Sequence, residues 1–310
     1  MPAEGSLPQR VTIREVGPRD GLQSERPLSL GDRARLIGAL SRAGIPKIEA
    51  VSFVSPRAVP AMANAAQVWA AAERAPGVLY SALVPNRRGA EAAVEAGGFH
   101  SLQGFLAASD GYNTKNVGKT VQESVADVAD VVRVARGAGI TAECSISGAF
   151  GDPYGGDVAP ERVADVASTV AAAGVDGVSV GDTTGMATPS RVWRVVELLR
   201  GRVPHLRLNL HFHDTRGTAM ANVLAAMQAG VTEFDASIGG LGGSPFAPGT
   251  NGNLCTEDLV HMLVDMGIET GIDFDALMEA ARVAEEVVGH PLAGQVAKAG
   301  PRWDVVGRNG

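Results

Sequence analysis

From one end to the other the chain alternates short segments that read as strands with longer ones that read as helices, and this rhythm limits its possible folds more than any other feature. Strand-like segments run from Val11 to Val16, Lys47 to Val54, Val78 to Val84, Ser101 to Ala107, Thr141 to Ser147, Val175 to Val180, Leu206 to Phe212 and Thr232 to Ile238. Between them lie helix-like segments at Leu30 to Ala43, Ala61 to Glu73, Arg88 to Ala96, Val121 to Arg136, Pro160 to Ala173, Pro189 to Leu199 and Thr218 to Ala229, and Thr256 to Met266 completes eight strand-helix units. Glycines at 44, 97, 139, 174 and 230 follow alanines or close helices just before the next strand, as helix C-caps do. The connections are too long for hairpins, so the expected fold is α/β, a closed (β/α)8 TIM barrel, rather than an open sheet. One catalytic domain over residues 1–290 is expected, with Phe274 to Val288 as an extra C-terminal helix. Residues 291–310 read as a tail, polar and without order after Trp303.

A barrel of this kind places its active site at the C-terminal ends of the strands, so the residues found there carry the functional information. In Leu206 to His213, leucines and Phe212 alternate with Arg207, Asn209, His211 and His213, and the period of two puts both imidazoles on one face of the seventh strand. Two neutral imidazoles on a rigid strand can serve one metal ion. Asp20 follows the first strand, and barrel closure brings it toward His211 and His213 although about 190 residues separate them. One carboxylate and two imidazoles leave open positions on an octahedral divalent ion, and magnesium or manganese is preferred over zinc because no thiolate joins the set. Arg19 beside this acid can stabilise an enolate oxygen or can be an ordinary ion-pair partner. Glu49 on the second strand either orients Arg19 or the substrate, or belongs to a barrel-interior ion pair. The glycine-rich run from Gly239 to Gly243 lacks the lysine and spacing of a phosphate loop and fits a flexible lid.

Charge and cysteine usage remove other classes. A net charge of −7 argues against a general nucleic-acid binder. Cys144 and Cys255, the only cysteines, are too few for a disulfide framework and read as structural thiols of a reducing compartment. No apolar run spans a bilayer and the opening residues lack a leader pattern, so no membrane partner and a cytoplasmic location are expected.

Four stretches carry a family resemblance: Val16 to Gln23 (VGPRDGLQ), Ile48 to Pro56 (IEAVSFVSP), His211 to Thr215 (HFHDT), and Gly240 to Pro248 with Gly252 to Asp258. In the same order over about Val11 to Val296, they resemble 3-hydroxy-3-methylglutaryl-CoA lyase, of the metal-dependent lyase and Claisen-condensing barrel superfamily. The resemblance implies that Asp20, His211, His213 and Asn253 hold the metal, that Arg19 polarises the reacting carbonyl, and that Glu49 is a catalytic-site acid. It implies that Ser179 and Asp182 lie near the substrate, and Gln23 and Arg26 are further candidates for substrate binding. Lys115 and Lys119 join Arg26 as cationic loop candidates for the CoA phosphates. The implied reaction is retro-Claisen cleavage to acetyl-CoA and a keto acid, acetoacetate in the parent case. The expected partners are a small acyl-CoA and a second copy of the chain in a homodimer.

Ser244 departs from the family pattern, because the lyases present a cysteine there that takes part in proton transfer. A thiol has a reference pKa of about 8.5 and a serine hydroxyl is a far weaker acid, so Ser244 bears on the substrate more than on the reaction class. Cys255 lies nearby at a different motif position. A related 3-hydroxyacyl-CoA is an alternative substrate. A condensing synthase of the same superfamily and an acyl-CoA-binding barrel without turnover are the alternative functions.

Overall fold

A computed structural model describes residues 7–243 and 252–307. Eight parallel strands close in sequence order, β1 (Thr12–Glu15), β2 (Lys47–Ser52), β3 (Leu79–Leu83), β4 (Ser101–Ala107), β5 (Thr141–Ser147), β6 (Gly177–Asp182), β7 (Arg207–Phe212) and β8 (Glu233–Ala236), with β8 pairing back onto β1. The expected (β/α)8 barrel is therefore observed. Around it stand α1 (Leu30–Arg42), α2 (Ala65–Ala71), α3 (Arg87–Ala96), α4 (Asp110–Val117), α5 (Val121–Gly137), α6 (Pro160–Ala173), α7 (Pro189–Arg202), α8 (Ala219–Gln228), α9 (Thr256–Asp265) and α10 (Phe274–Val288). Among the described residues no helix is long and apolar enough to cross a membrane.

Local chemistry sets the element ends. The Thr120 hydroxyl accepts from the Glu123 N–H and the Glu123 carboxylate accepts from the Thr120 N–H, a reciprocal cap that starts α5. Its apolar stripe, Val121, Val125, Val128, Val132 and Ala135, is buried against the sheet. Gly174 (φ 96°) and Gly230 (φ 84°) end their segments in the left-handed region, as do Gly44, Gly97 and Gly139.

Three segments differ from the sequence expectation. The helix expected over Ala61 to Glu73 is a single tight turn at Pro60–Met62 followed by α2, because Asn64 takes a left-handed conformation (φ 59°) between them. The unexpected α4 is capped by Ser109 and closed by Gly118 (φ 71°), and its sequence DGYNTKNV shows no apolar stripe to reveal it. The chain after α10 also carries helical structure, as far as Gly307. Short helices cover Val296–Ala299 and Arg302–Gly307, the Asp258 carboxylate accepts from the Gln295 and Val296 N–H groups, and the Trp303 ring stacks on His261 at 5.0 Å. A Cβ on Gly239, at the end of β8, would run into Leu292, so this C-terminal segment rests on the root of the glycine-rich loop.

Candidate active site

After β1 the chain turns tightly over Gly17–Gly21, where the Val16 carbonyl accepts from the N–H groups of Arg19 (3.1 Å), Asp20 (2.7 Å) and Gly21 (3.1 Å). Pro18 supplies a fixed φ at the start of this turn. The turn aims Asp20 at the end of β7. One ligand atom each from Asp20, His211 and His213 lies within 4.8 Å of the others. Asn253 joins them through the backbone, since the Leu254 N–H donates to Phe212 O and the Asp214 N–H to Gly252 O, each at 2.9 Å. Its amide nitrogen donates to Asp20 Oδ2 (2.8 Å) and Leu241 O (2.9 Å). Close approach there requires glycine, because a Cβ on Gly242 would strike the Asn253 amide.

These residues fit a cation. His213 Nδ1 and Asn253 Oδ1 are buried without a hydrogen-bond partner, and buried polar atoms without partners are rare unless something else satisfies them. Burial raises the Asp20 carboxyl, but Arg19 and the two imidazoles outweigh it and hold the group below the usual carboxylate range. Burial, then the neighbouring His211, lowers His213 to about 3, leaving a neutral imidazole. Burial also lowers His211, yet Asp235 and Asp20 together raise it, so this spot favours positive charge. Oxygen and imidazole donors of this kind suit a hard or borderline divalent ion.

Arg19 is fixed on two sides. Its Nε donates to Glu49 and its NH1 to Asp20 Oδ1 (2.6 Å). Glu49 stands behind Arg19, fully buried and paired with its guanidinium, an arrangement that both readings of it share. Gln23 donates to Asp20 Oδ1 (2.9 Å) and lines the cavity.

Other candidates sit differently. Asp182 is fully buried, and its oxygens accept from the Met186 (2.8 Å) and Ala187 (3.1 Å) N–H groups, so it braces the loop after β6; burial raises its carboxyl to about 6 despite those bonds. The Ser179 hydroxyl accepts from Asn209 (2.7 Å), donates to Asp235 (3.3 Å) and touches the cavity. Arg26 donates to the Val287 and Val288 carbonyls at the end of α10 and does not line the cavity. Lys119 lines it, paired with Asp127, whereas Lys115 lies 5.9 Å over the Tyr154 ring. Ser244 lies outside the described residues. The Cys255 thiol is buried beside Glu257 and Gly294 and does not line the cavity, and burial followed by Glu257 pushes it well above the usual thiol range.

Sequence reasoning missed the supports. Asp235 on β8 accepts from His211 Nδ1 (3.1 Å) and takes Arg14 of β1 as a two-point partner (2.7 and 2.9 Å). Glu15 is fully buried; one oxygen accepts from the Gly17 (2.7 Å) and Ile238 (2.9 Å) N–H groups and the other from the Thr256 hydroxyl (2.6 Å). One carboxylate thus ties the Asp20 turn, the end of β8 and the start of α9 together. The available signal was a pair of charged residues, Arg14 and Glu15, inside a strand of four.

A cavity of about 400 Å³ opens over the ligand group. Its floor is polar, with Arg19, Asp20, His211, His213 and Ser145, and its wall apolar, with Val54, Val59, Met62, Leu83 and Phe105. Such a site can bind a cation, place a guanidinium beside it and take a ligand that is polar at one end only.

The HMGL-like family model matches residues 10–284. A hydroxymethylglutaryl-CoA lyase of Bacillus subtilis is 45% identical over 286 residues, covering 92% of this chain and 95% of that protein. A 3-hydroxy-3-isohexenylglutaryl-CoA/hydroxymethylglutaryl-CoA lyase of Pseudomonas aeruginosa is 42% identical over 295 residues, 95% and 98% of the two chains. The structure of an HMG-CoA lyase from Acinetobacter baumannii, in complex with coenzyme A and 3-methylmalate, superposes with a TM-score of 0.90 at 40% identity over 96% of this chain and 97% of that one.

Proposed function

Since this chain belongs to the HMGL-like family, that of the hydroxymethylglutaryl-CoA lyases, we propose that it cleaves 3-hydroxy-3-methylglutaryl-CoA to acetyl-CoA and acetoacetate. It is a carbon-carbon lyase. The observation that carries the proposal is the convergence of Asp20, His211 and His213 at the C-terminal rim of the barrel with Arg19 alongside.

Asp20, His211, His213 and Asn253 would hold a magnesium or manganese ion, which when bound acidifies the substrate's tertiary hydroxyl as a Lewis acid. In the cleavage the hydroxyl loses its proton, the oxygen's electron pair becomes the new ketone, and the bond between C2 and C3 breaks. Its electrons pass into the thioester, forming the acetyl-CoA enolate, which then takes up a proton. Arg19 stays charged at any working pH, and with Nε on Glu49 and NH1 on Asp20 it offers its remaining N–H groups to the developing enolate oxygen. Glu49 holds that guanidinium in place, and Gln23 steadies Asp20. Ser244 occupies the family's proton-transfer position. The apolar wall suits the substrate's 3-substituent, and the second substrate in the Pseudomonas relative's name carries a larger apolar one there.

The condensing synthase and the barrel without turnover are not favoured, since the relatives are lyases over nearly the whole chain. The test is acetyl-CoA release from 3-hydroxy-3-methylglutaryl-CoA and from its 3-isohexenyl analogue with Mg2+ or Mn2+, beside His213→Ala. Release that His213→Ala abolishes is the expected result; no release from either substrate by metal-loaded protein would sink the proposal.

A further inference from the structure

We propose that Asp235 and Arg14 are the positioning pair of the metal centre, fixing His211 in the one tautomer and orientation that offer Nε2 to a cation. The inference rests on the metal-binding part of the function proposed above.

Barrel interiors are commonly filled by branched apolar side chains. Here the layer beneath the rim is polar and closed to water: Arg14 is 5% exposed, Asp235 4%, Asn209 6% and Gln103 0%. A buried ion pair is weak evidence of stabilisation, because apolar residues of the same volume often do as well, so its place in this layer calls for another use. The hydrogen bonds supply one. Asp235 Oδ1 accepts from Arg14 Nε (2.7 Å) and Asn209 Nδ2 (2.8 Å), and Oδ2 accepts from Arg14 NH2 (2.9 Å), Ser179 Oγ (3.3 Å) and His211 Nδ1 (3.1 Å). An ionised carboxylate only accepts, so His211 carries a proton on Nδ1, and in its neutral form the lone pair is on Nε2. That nitrogen faces Asp20 Oδ2 at 3.9 Å, in the space onto which His213 also opens.

Arg14 makes the arrangement rigid. Its NH1 donates to Gln103 of β4 and Glu143 of β5, both at 3.0 Å, and Glu143 is held in turn by Arg207 of β7 at 3.0 Å. The carboxylate that orients the ligand is thereby referred to four other strands and cannot swing. Partners of metal-bound histidines typically change metal affinity by about 10–100-fold when altered.

Asp235→Asn is the informative change. Arg14 Nε and Asn209 both need an acceptor where Oδ1 stands, so the amide oxygen takes that place; the new NH2 then faces Arg14 NH2 and His211, and His211 Nδ1 has to accept, with its proton on Nε2. Binding of Mn2+ to the full-length protein, followed without substrate by the electron paramagnetic resonance of the free ion, is expected to weaken by about 10–100-fold. Nitrogen-15 spectra of the metal-free protein, taken at a pH high enough for the His211 imidazole to be neutral, should show Nδ1–H at His211 in wild type and Nε2–H in the variant, a signature that loss of packing alone would not produce. If the single variant does not fold, Arg14→Met combined with Asp235→Asn leaves no lone buried charge and is expected to show the same loss. A folded variant with the Mn2+ affinity of wild type, or Nε2–H at His211 in wild type, would overturn the assignment. Wild type that binds no Mn2+ would overturn both this and the metal-binding proposal, whereas wild type that binds Mn2+ without cleaving substrate would fault the cleavage proposal alone.

Discussion

Arg19 and His213 show how much one side chain is asked to do. His213 is 2% exposed, neutral, and has an unpartnered ring nitrogen, so His213→Ala removes a donor and leaves a small hole; a Lewis acid contributes several kcal/mol to such chemistry, and kcat should fall by about 10³-fold or more. Arg19→Lys keeps the charge but cannot bond Glu49 and Asp20 while also reaching substrate, and steady-state kinetics should show kcat lowered by about 10²-fold with KM little changed. Ser244→Cys places a thiol where the family resemblance implies a proton donor, and kcat on 3-hydroxy-3-methylglutaryl-CoA is expected to rise by about tenfold or more; an unchanged rate would count against proton transfer from this position. The paired histidines and Asp20 were legible because a strand's period and a barrel's closure are both written in the sequence. Asp235 was not, because Arg14 lies 221 residues away and nothing local in the chain records the pairing.

Whole elements depend on single buried polar groups. Asn113 of α4 accepts from the Ala107 N–H (2.8 Å) and donates to Lys119 O and Ser124 Oγ (both 2.8 Å), so it fixes a helix that brings Tyr112 and Asn116 to the cavity. Asn113→Ala should cost about 2 kcal/mol or more in denaturant unfolding and raise KM for the acyl-CoA, because the cavity wall it anchors loosens. The sequence hid α4 since eight mostly polar residues carry no periodic signal, and it hid the break before α2 since an asparagine can take the left-handed conformation but is not bound to it. Glu15 ties three elements, and burial, against its hydrogen bonds, raises its carboxyl from 4.5 to about 7. A carboxyl raised in the folded state binds a proton there that the unfolded chain has released, so stability falls as pH rises from about 4.5 to about 7 and stays level above. The full penalty is on the order of 3 kcal/mol. In Glu15→Gln the amide oxygen can keep both N–H bonds while the NH2 donates to Thr256, so thermal unfolding should find the variant level with wild type at pH 5 and more stable at pH 8. An equal difference at both pH values would count against this account.

At the level of the whole molecule, the alternation of strands and helices already implied a closed ring, and the β1–β8 pairing completes it. Closure couples the candidate metal site to global stability, since Asp20, His211, His213 and Asn253 are brought together only in the folded barrel. A ligand at about 100 times its Kd stabilises by about 2.7 kcal/mol, so saturating Mn2+ should raise the unfolding midpoint by about 5 °C, and His213→Ala should abolish most of that rise.

The seating of Leu292 on Gly239 bears on when the protein becomes useful during its own synthesis. The Ala293 N–H donates to the Gly239 carbonyl (3.0 Å), so a stretch made late braces the loop root beside a turn made among the first residues. A nascent chain that has emerged as far as His213 already has most of its ligands, yet it lacks the strand that closes the ring and the strap that settles on it. A chain released before β8 and the Leu292 segment are made is therefore expected to leave its candidate ligands unassembled and to bind no Mn2+.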